Sequence, residues 1–249
     1  MSRIPIGVQL YSVRDDCARD LPGTLAAVAK MGYEAVEFYN YYGRPAQEIR
    51  KLLDDLGLKC CGTHTGLPTL LGDALPRTIE YNQIVGNPYL VAPSLPEDRR
   101  NSAAAWRDTG RLFAELAEQV KPYGMKVGYH NHNIEFKPLE GALPFDLFFG
   151  AAGPDVIMQV DVGNAMHGGG DPVACLRNYP GRATTVHIKE YSKDQMALVG
   201  EGEANLAEVF ALCETTGGTQ WYIVEQETYS HPPMECIRLC LENLRRMGK

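Results

Sequence analysis

The sequence predicts a single α/β barrel, a (β/α)8 TIM barrel in which eight parallel strands are each followed by a helix. Three observations carry this. Eight short runs rich in Val, Ile and aromatics alternate with stretches of helical periodicity along all 249 residues. No Ser- or Pro-rich linker, low-complexity block or long charge run divides the chain, so residues 1–249 read as one domain. No G-x-G-x-x-G follows the first apolar run, which weakens the alternative of a doubly wound open sheet.

The elements follow in order. Residues 6–11 form the first apolar run. Residues 21–31 then place Leu25, Val28 and Ala29 at helical spacing. Residues 35–39 are the second strand and 46–56 the second helix, with Gly57 as its C-terminal cap. Strands at 58–64 and 88–92 flank a helix at 75–85. A long amphipathic helix at 103–120 stops near Pro122 and Gly124, and Trp106 on it is expected to pack in the outer shell. Four further strands follow, at 126–132, 157–161, 185–189 and 221–225, separated by helices at 144–149, 171–176 and 205–213. A helix at 233–247 ends the alternation.

Bulk composition narrows the function classes. A hydrophobic fraction of 45% suffices for a full core, and a formal charge of −7 argues against a nucleic-acid surface and for a small-molecule partner. The seven cysteines are odd in number and form no C-x-x-C pair, which reads as buried reduced thiols in a cytoplasmic protein. Neither a basic N-terminal stretch with an apolar core nor an 18-residue apolar run is visible, so no leader and no membrane span are expected.

The last four strands carry the chemistry. Each places a metal-capable side chain at its end: His130 and His132 on the fifth, Asp161 on the sixth, His187 on the seventh and Glu225 on the eighth. Parallel strands in such a repeat all end on one side, so these residues should converge, and two His, one Asp and one Glu suit a divalent ion. Alternation points His130 and His132 to the same side, with Glu135 on the following turn near enough to reach back. His187 and Lys189 share a face, putting a ligand beside a cation able to neutralise a substrate oxyanion. Asp171 before Pro172 reads as a helix cap, whereas Asp161 precedes its turn and reads as a ligand. Gln9, Tyr11, Glu37 and His64 lie at strand ends facing the same mouth and are expected to line a polar sugar pocket.

The set as a whole, from Gly7-Val8-Gln9-Leu10-Tyr11-Ser12-Val13-Arg14 to Val224-Glu225-Gln226-Glu227, resembles the xylose-isomerase-like sugar isomerase/epimerase superfamily. That superfamily also includes inosose dehydratases and, more distantly, endonuclease IV. The resemblance implies one divalent metal, often manganese, with magnesium, cobalt and zinc as alternatives, held at the ends of strands five to eight. Carried over, Asp161, His187 and Glu225 match the ligands of strands six, seven and eight. Strand five departs: where the epimerases carry a Glu that binds metal and moves protons, this chain has His130. The epimerases also carry a His soon after the strand-six Asp; here that position is Asn164, with His167 three residues on, and both are expected to contact substrate. The Tyr-His-Asn-His-x-x-Glu-Phe form looks more like members labelled sugar phosphate isomerases.

These readings give His130, Asp161, His187 and Glu225 as metal ligands and His132, Glu135, Glu225 and Lys189 as the proton-moving and charge-neutralising groups. The expected reaction is proton abstraction next to a carbonyl of a keto- or aldo-sugar through an enediolate, giving isomerisation or epimerisation. The alternative is β-elimination by a lyase or dehydratase acting on a keto-sugar or 3-keto-glycoside. Phosphodiester cleavage would need more ligands than six histidines supply and a basic surface. A non-catalytic sugar-binding barrel would have lost the ligands. A homo-oligomer is compatible with the sequence.

Overall fold

A computed structural model of the chain describes residues 3–249. The leader reading starts at Met1 and Ser2, which lie outside the described residues. The strands β1 (Ile6–Gln9), β2 (Ala35–Phe38), β3 (Lys59–His64), β4 (Tyr89–Ala92), β5 (Lys126–His130), β6 (Ile157–Asp161), β7 (Thr185–Ile188) and β8 (Trp221–Val224) pair in chain order. All pairings are parallel, and β8 closes on β1 through Ile6, Gly7 and Val8 opposite Tyr222, Ile223 and Val224. The fold is therefore a closed eight-stranded α/β barrel.

Among the described residues ten α-helices surround it: α1 (Arg14–Arg19), α2 (Leu21–Met31), α3 (Ala46–Leu56), α4 (Ala74–Val85), α5 (Ala103–Val120), α6 (Pro144–Ala152), α7 (Val162–His167), α8 (Pro172–Asn178), α9 (Leu206–Thr215) and α10 (Pro233–Arg246). The expected boundaries hold to within a few residues. Gly57 ends α3 in the left-handed conformation at φ 67°, and Asp171 caps α8 by accepting a hydrogen bond from Val173 N–H. Two segments differ from expectation. The first strand stops at Gln9 because its side-chain amide oxygen accepts from Tyr11 N–H and bends the chain into a 3-10 turn at Leu10–Val13. Residues 162–167, expected as loop, form α7, because Asp161 caps them through Asn164 N–H at 2.6 Å.

Strand alternation sorts the side chains into two layers. Outward residues such as Val8, Phe38, Leu90, Tyr129, Val160 and Val224 join the helices in one large apolar cluster. Trp106 is buried there, edge-on to Tyr129 and Phe148 at 6.1 and 6.4 Å. Inward residues near the strand starts fill the barrel floor: Ala35, Cys61 and Ile223 in one group, Tyr89, Val91 and Ile157 in another, with Trp221 against both. Above this floor the inward residues become polar, and that change places the site. All seven cysteines are buried and unpaired in disulfides. Among the described residues no helix is long and apolar enough to cross a membrane.

Gly128 shows how tightly the wall is built. A Cβ there would lie 2.7 Å from Ile157 Cβ and 2.9 Å from Ile157 O across the β5–β6 pair. Gly128→Ala should lower unfolding stability by about 1–3 kcal/mol, read from the urea midpoint, because the strand that carries His130 must shift. An unchanged midpoint would mean that the wall yields at no cost.

Candidate active site at the barrel mouth

Gln9, Glu37, Gln159, Thr185 and His187 form a fully buried polar layer above the apolar floor. Gln159, inward on β6, stands at its centre. Its amide nitrogen donates to Glu37 Oε1 and to Thr185 Oγ1, both at 2.8 Å. Its carbonyl oxygen lies 2.9 Å from His64 Nε2 and 3.1 Å from His130 Nδ1. Because Glu37 is a carboxylate, the amide nitrogen must face it, so the carbonyl oxygen must face the two rings. Each of those ring nitrogens therefore carries a hydrogen, and the second nitrogen of each is left as an acceptor.

Glu37 itself takes three bonds. Its Oε2 accepts from Gln9 Nε2 at 2.7 Å and from His187 Nε2 at 2.6 Å, and its Oε1 accepts from Gln159. Room for the carboxylate comes from Gly62, whose missing Cβ would collide with Glu37 Oε1. A register shift between Val36 and Glu37 against β3 sets that glycine opposite Glu37. Burial alone would push the Glu37 carboxyl up, but the facing His64 and His187 rings hold it below the usual carboxylate range.

Glu37 holds His187 Nε2 and turns the other ring nitrogen upward, 2.9 Å from Glu225 Oε2 and 3.9 Å from Asp161 Oδ2. His130 Nε2 lies 4.0 Å from the same Glu225 oxygen. One donor atom from each of His130, Asp161, His187 and Glu225 falls within 4.8 Å of the others, and all four residues are buried. Ligands about 2.1 Å from one ion lie roughly 3.0–3.4 Å apart when adjacent and about 4.2 Å apart when opposite. The spacing therefore fits one divalent cation after small adjustments. Asp161 supports the fit: Oδ1 is used on Asn164 N–H, whereas Oδ2 is buried with no hydrogen-bond partner. An unpartnered carboxylate oxygen aimed at a His and a Glu is what a cation would relieve. His64, His130 and His187 also meet within 4.8 Å, but that trio has no carboxylate and the Nε2 of His64 is spent on Gln159.

The electrostatics agree. Burial would lower the His187 imidazole, yet Glu37 and Glu225 raise it to about 10. Burial holds His130 well below the ordinary histidine value, aided by the neighbouring His187 and His64, and it lowers His64 despite Glu37. Burial lifts the Asp161 carboxyl well above the usual range; Lys189 opposes this and the Glu225 charge adds to it. Burial also works to raise Glu225, but His187 and Lys189 outweigh it and keep it ionised. The ion-free cluster is thus two crowded carboxylates around a charged His187.

The remaining candidates are placed as follows. Lys189 is buried, donating to Asn164 Oδ1 at 3.0 Å and pairing with Glu227; burial would lower its ammonium, but Asp161 and Glu225 hold it charged. Tyr11 stands on the rim, 37% exposed, edge-on to Tyr39 at 5.1 Å. His167 packs on Tyr191 at 4.7 Å with its Nε2 buried and unpartnered. His132 lies beyond the end of β5, yet its ring reaches 5.0 Å from that of His130. Gln9 and Glu37 were expected to touch sugar. They sit beneath the metal-capable residues and are consumed by His187, Gln159 and each other.

Glu135 corrects the reading that it reaches into the mouth. Its Oε1 accepts from the Tyr129 hydroxyl and its Oε2 from His132 N–H at 2.8 Å. Tyr129 is an outward residue of β5, so the carboxylate is tied behind the strand, on the helix side. Two residues that the sequence reading passed over also belong to the site. Gln159 shares the inward face of β6 with Asp161 two positions on. Glu227 shares the strand-end alternation with Glu225.

A closed barrel whose C-terminal mouth holds a buried cluster of two His and two carboxylates places metal-capable groups where α/β barrels carry their sites. Residues 25–247 match the xylose isomerase-like TIM barrel family, and the chain belongs to it. It is 25% identical over 263 residues to the rhizopine catabolism protein MocC of Rhizobium meliloti, covering 90% of this chain and 80% of that protein. It is 23% identical to an inosose dehydratase of Geobacillus kaustophilus, covering 86% of each. A sugar phosphate isomerase/epimerase structure from Parabacteroides distasonis superposes with a TM-score of 0.83 at 26% identity, over 98% of this chain and 94% of that one. A zinc-bound IolI protein superposes with a TM-score of 0.74 over 97% of both chains, at 13% identity.

Glu135→Ala should leave the Tyr129 hydroxyl and His132 N–H buried without partners. We expect a loss of about 2–4 kcal/mol in urea unfolding, with bound metal unchanged. Loss of metal with unchanged stability would return Glu135 to the ligand set.

Proposed function

We propose that this protein is a divalent-metal-dependent sugar isomerase or epimerase that abstracts a proton next to a carbonyl. The observation that carries this is the convergence of His130, Asp161, His187 and Glu225 around the unpartnered Asp161 oxygen. His130 Nε2, Asp161 Oδ2, His187 Nδ1 and one Glu225 oxygen would hold the ion. Manganese is the ion we expect, and the zinc bound in the IolI structure supports zinc as a second candidate. When bound, a divalent cation supplies Lewis-acid polarisation of a sugar carbonyl and the adjacent hydroxyl, which acidifies the C–H between them.

The chain supplies the rest. Glu225, kept ionised beside His187, accepts the carbon-bound proton on its second oxygen. The electron pair moves to the carbonyl oxygen, giving an enediolate whose negative charge faces Lys189. Asn164 and Glu227 fix the Lys189 ammonium and so orient it. His132, half-buried beside His130, returns a proton to the opposite face of the same carbon for epimerisation, or to the neighbouring carbon for isomerisation, in which the hydroxyl on the first carbon passes its proton to the former carbonyl oxygen. Glu37 keeps Nε2 of His187 protonated, so that Nδ1 presents a lone pair; this is the carboxylate–histidine support seen around metal ligands.

One observation favours a second reading, elimination. His130 spends Nδ1 on Gln159, and its Nε2 is the metal-facing nitrogen, so His130 cannot take the proton-moving role of the Glu that the epimerases carry at this position. Only Glu225 remains as a carboxylate base on the cluster, and one base suffices to remove a proton and expel a hydroxyl from the next carbon. Similarity to an inosose dehydratase over 86% of the chain supports the same outcome.

Keto-sugars incubated with the manganese-loaded protein in heavy water distinguish the readings by NMR. Deuterium at the carbon beside the carbonyl with sugar composition retained supports isomerisation or epimerisation. Loss of water supports elimination, and neither change on a broad sugar panel overturns both. His130→Ala should lose most bound metal, whereas His132→Ala should keep it and lose solvent exchange at the substrate carbon. If both retain metal and full turnover, strand five has no role in the site.

The pH dependence has a definite sign. In the ion-free protein His187 is protonated up to about 10, and a bound cation must displace the Nδ1 proton. Metal affinity should therefore rise with pH by roughly tenfold per unit between about pH 7 and 9 and level off near 10. Calorimetric titration in buffers of different ionisation enthalpy would show one proton released per ion. A flat profile would remove His187 from the ligand set.

A further inference from the structure

At the ends of β2 and β3, beside the barrel mouth, lies a chamber of about 430 Å³. Its lining includes Tyr39 and Tyr41 after β2, the turn after β3, and Ala74, Thr78 and Tyr81 of α4. His64 belongs to both spaces. It lines the chamber, and its ring lies 4.8 Å from that of His130 and stacks 5.4 Å from that of His187. A molecule touching His64 from the chamber is thus one ring away from the metal-capable cluster.

The lining hydroxyls are already engaged within the protein. Thr65 and Thr69 donate to the carbonyls of Thr63 and Gly66, and Thr78 donates to Thr69 O. The Tyr81 hydroxyl donates to Arg44 O, and the Tyr41 hydroxyl is held by Thr63 and Asn82. What the chamber offers a ligand is therefore ring faces and methyl groups, not a directed pattern of donors and acceptors that would read sugar hydroxyls. Arg77 at its edge makes no ion pair among the described residues, so its planar guanidinium is free to stack on a bound ring. Its volume falls in the range of small-molecule pockets, about 300–1,000 Å³.

The geometry points to a substrate in two parts: the reacting sugar at the metal-capable cluster and an aromatic aglycone, joined through a glycosidic oxygen, in the chamber beside His64. This inference rests on the proposed chemistry at the mouth, which needs a carbonyl on the sugar, and so names its substrate class as an aryl glycoside whose sugar ring carries a ketone; simple aryl glycosides serve below as binding probes for it. In it the chamber recognises the aglycone by stacking, while the mouth recognises the sugar.

Saturation-transfer NMR and calorimetry on the metal-loaded protein test this with p-nitrophenyl and methyl glycosides of glucose, galactose and xylose, and with cellobiose. Metal content is measured on the same samples. At least one p-nitrophenyl glycoside should bind tenfold or more tightly than its methyl partner, with saturation strongest on the aryl protons. Ala74→Trp and Thr69→Trp, which fill the chamber from partly and fully exposed positions, should each reduce the aryl glycoside to the methyl value without loss of metal. Equal binding of aryl and methyl glycosides, no aryl binding, cellobiose binding as tightly as the aryl glycoside, or an aryl preference surviving in both folded variants would overturn the inference. Wild-type protein that binds no metal yet keeps the aryl preference would overturn the reading of the mouth and leave the chamber standing.

Discussion

The site depends on one buried amide. Gln159 has two hydrogens and two lone pairs to satisfy inside the barrel, and the structure uses all four at once. Its two donors are fixed by the Glu37 carboxylate and Thr185, so its two acceptor directions must fall on His64 and His130. An unmade bond at this depth costs about 1–3 kcal/mol, so the network behaves as a unit rather than as separable contacts. Glu37 transmits the constraint to His187, and His187 transmits it to Glu225. The orientation of the upper rings is thereby set from below, before any ligand arrives.

This organisation explains how the barrel tolerates such a charged interior. The floor is apolar, and the layer above it is polar but internally paired. Of the buried groups without partners among the described residues, Asp161 Oδ2, Asn164 Nδ2 and His167 Nε2 gather at the top. Lys189 provides the counter-charge there, itself held by Asn164 and Glu227. Strain of this kind is expected where a protein keeps groups ready for a ligand rather than for its own stability.

Much of this was legible in the sequence, for physical reasons. The barrel could be read because strand and helix periodicities alternate without a break. The convergence of His130, Asp161, His187 and Glu225 could be read because parallel strands end on one face. Hydrogen-bond partnership could not be read in this way. Glu135 looks like a mouth residue by proximity in sequence, but a three-residue turn brings it to His132 N–H and the outward Tyr129 hydroxyl instead. Gln159 carries no titratable signal inside an apolar run, so its central place became visible only with the packing. Asp161 was weighed as cap or ligand, and its two oxygens separate those roles: one caps α7 and the other faces the cluster. The register shift that seats Glu37 over Gly62 leaves no mark in periodicity at all.

The central claim is that one cation belongs between strands five and eight, and the most direct measurement is a crystal structure of manganese-soaked protein with anomalous scattering data. The account predicts a single strong peak at about 2.0–2.3 Å from His130 Nε2, Asp161 Oδ2, His187 Nδ1 and a Glu225 oxygen, with His187 Nε2 still bonded to Glu37. A peak among His64, His130 and His187 away from both carboxylates, or no peak in crystals that take up manganese elsewhere, would contradict it.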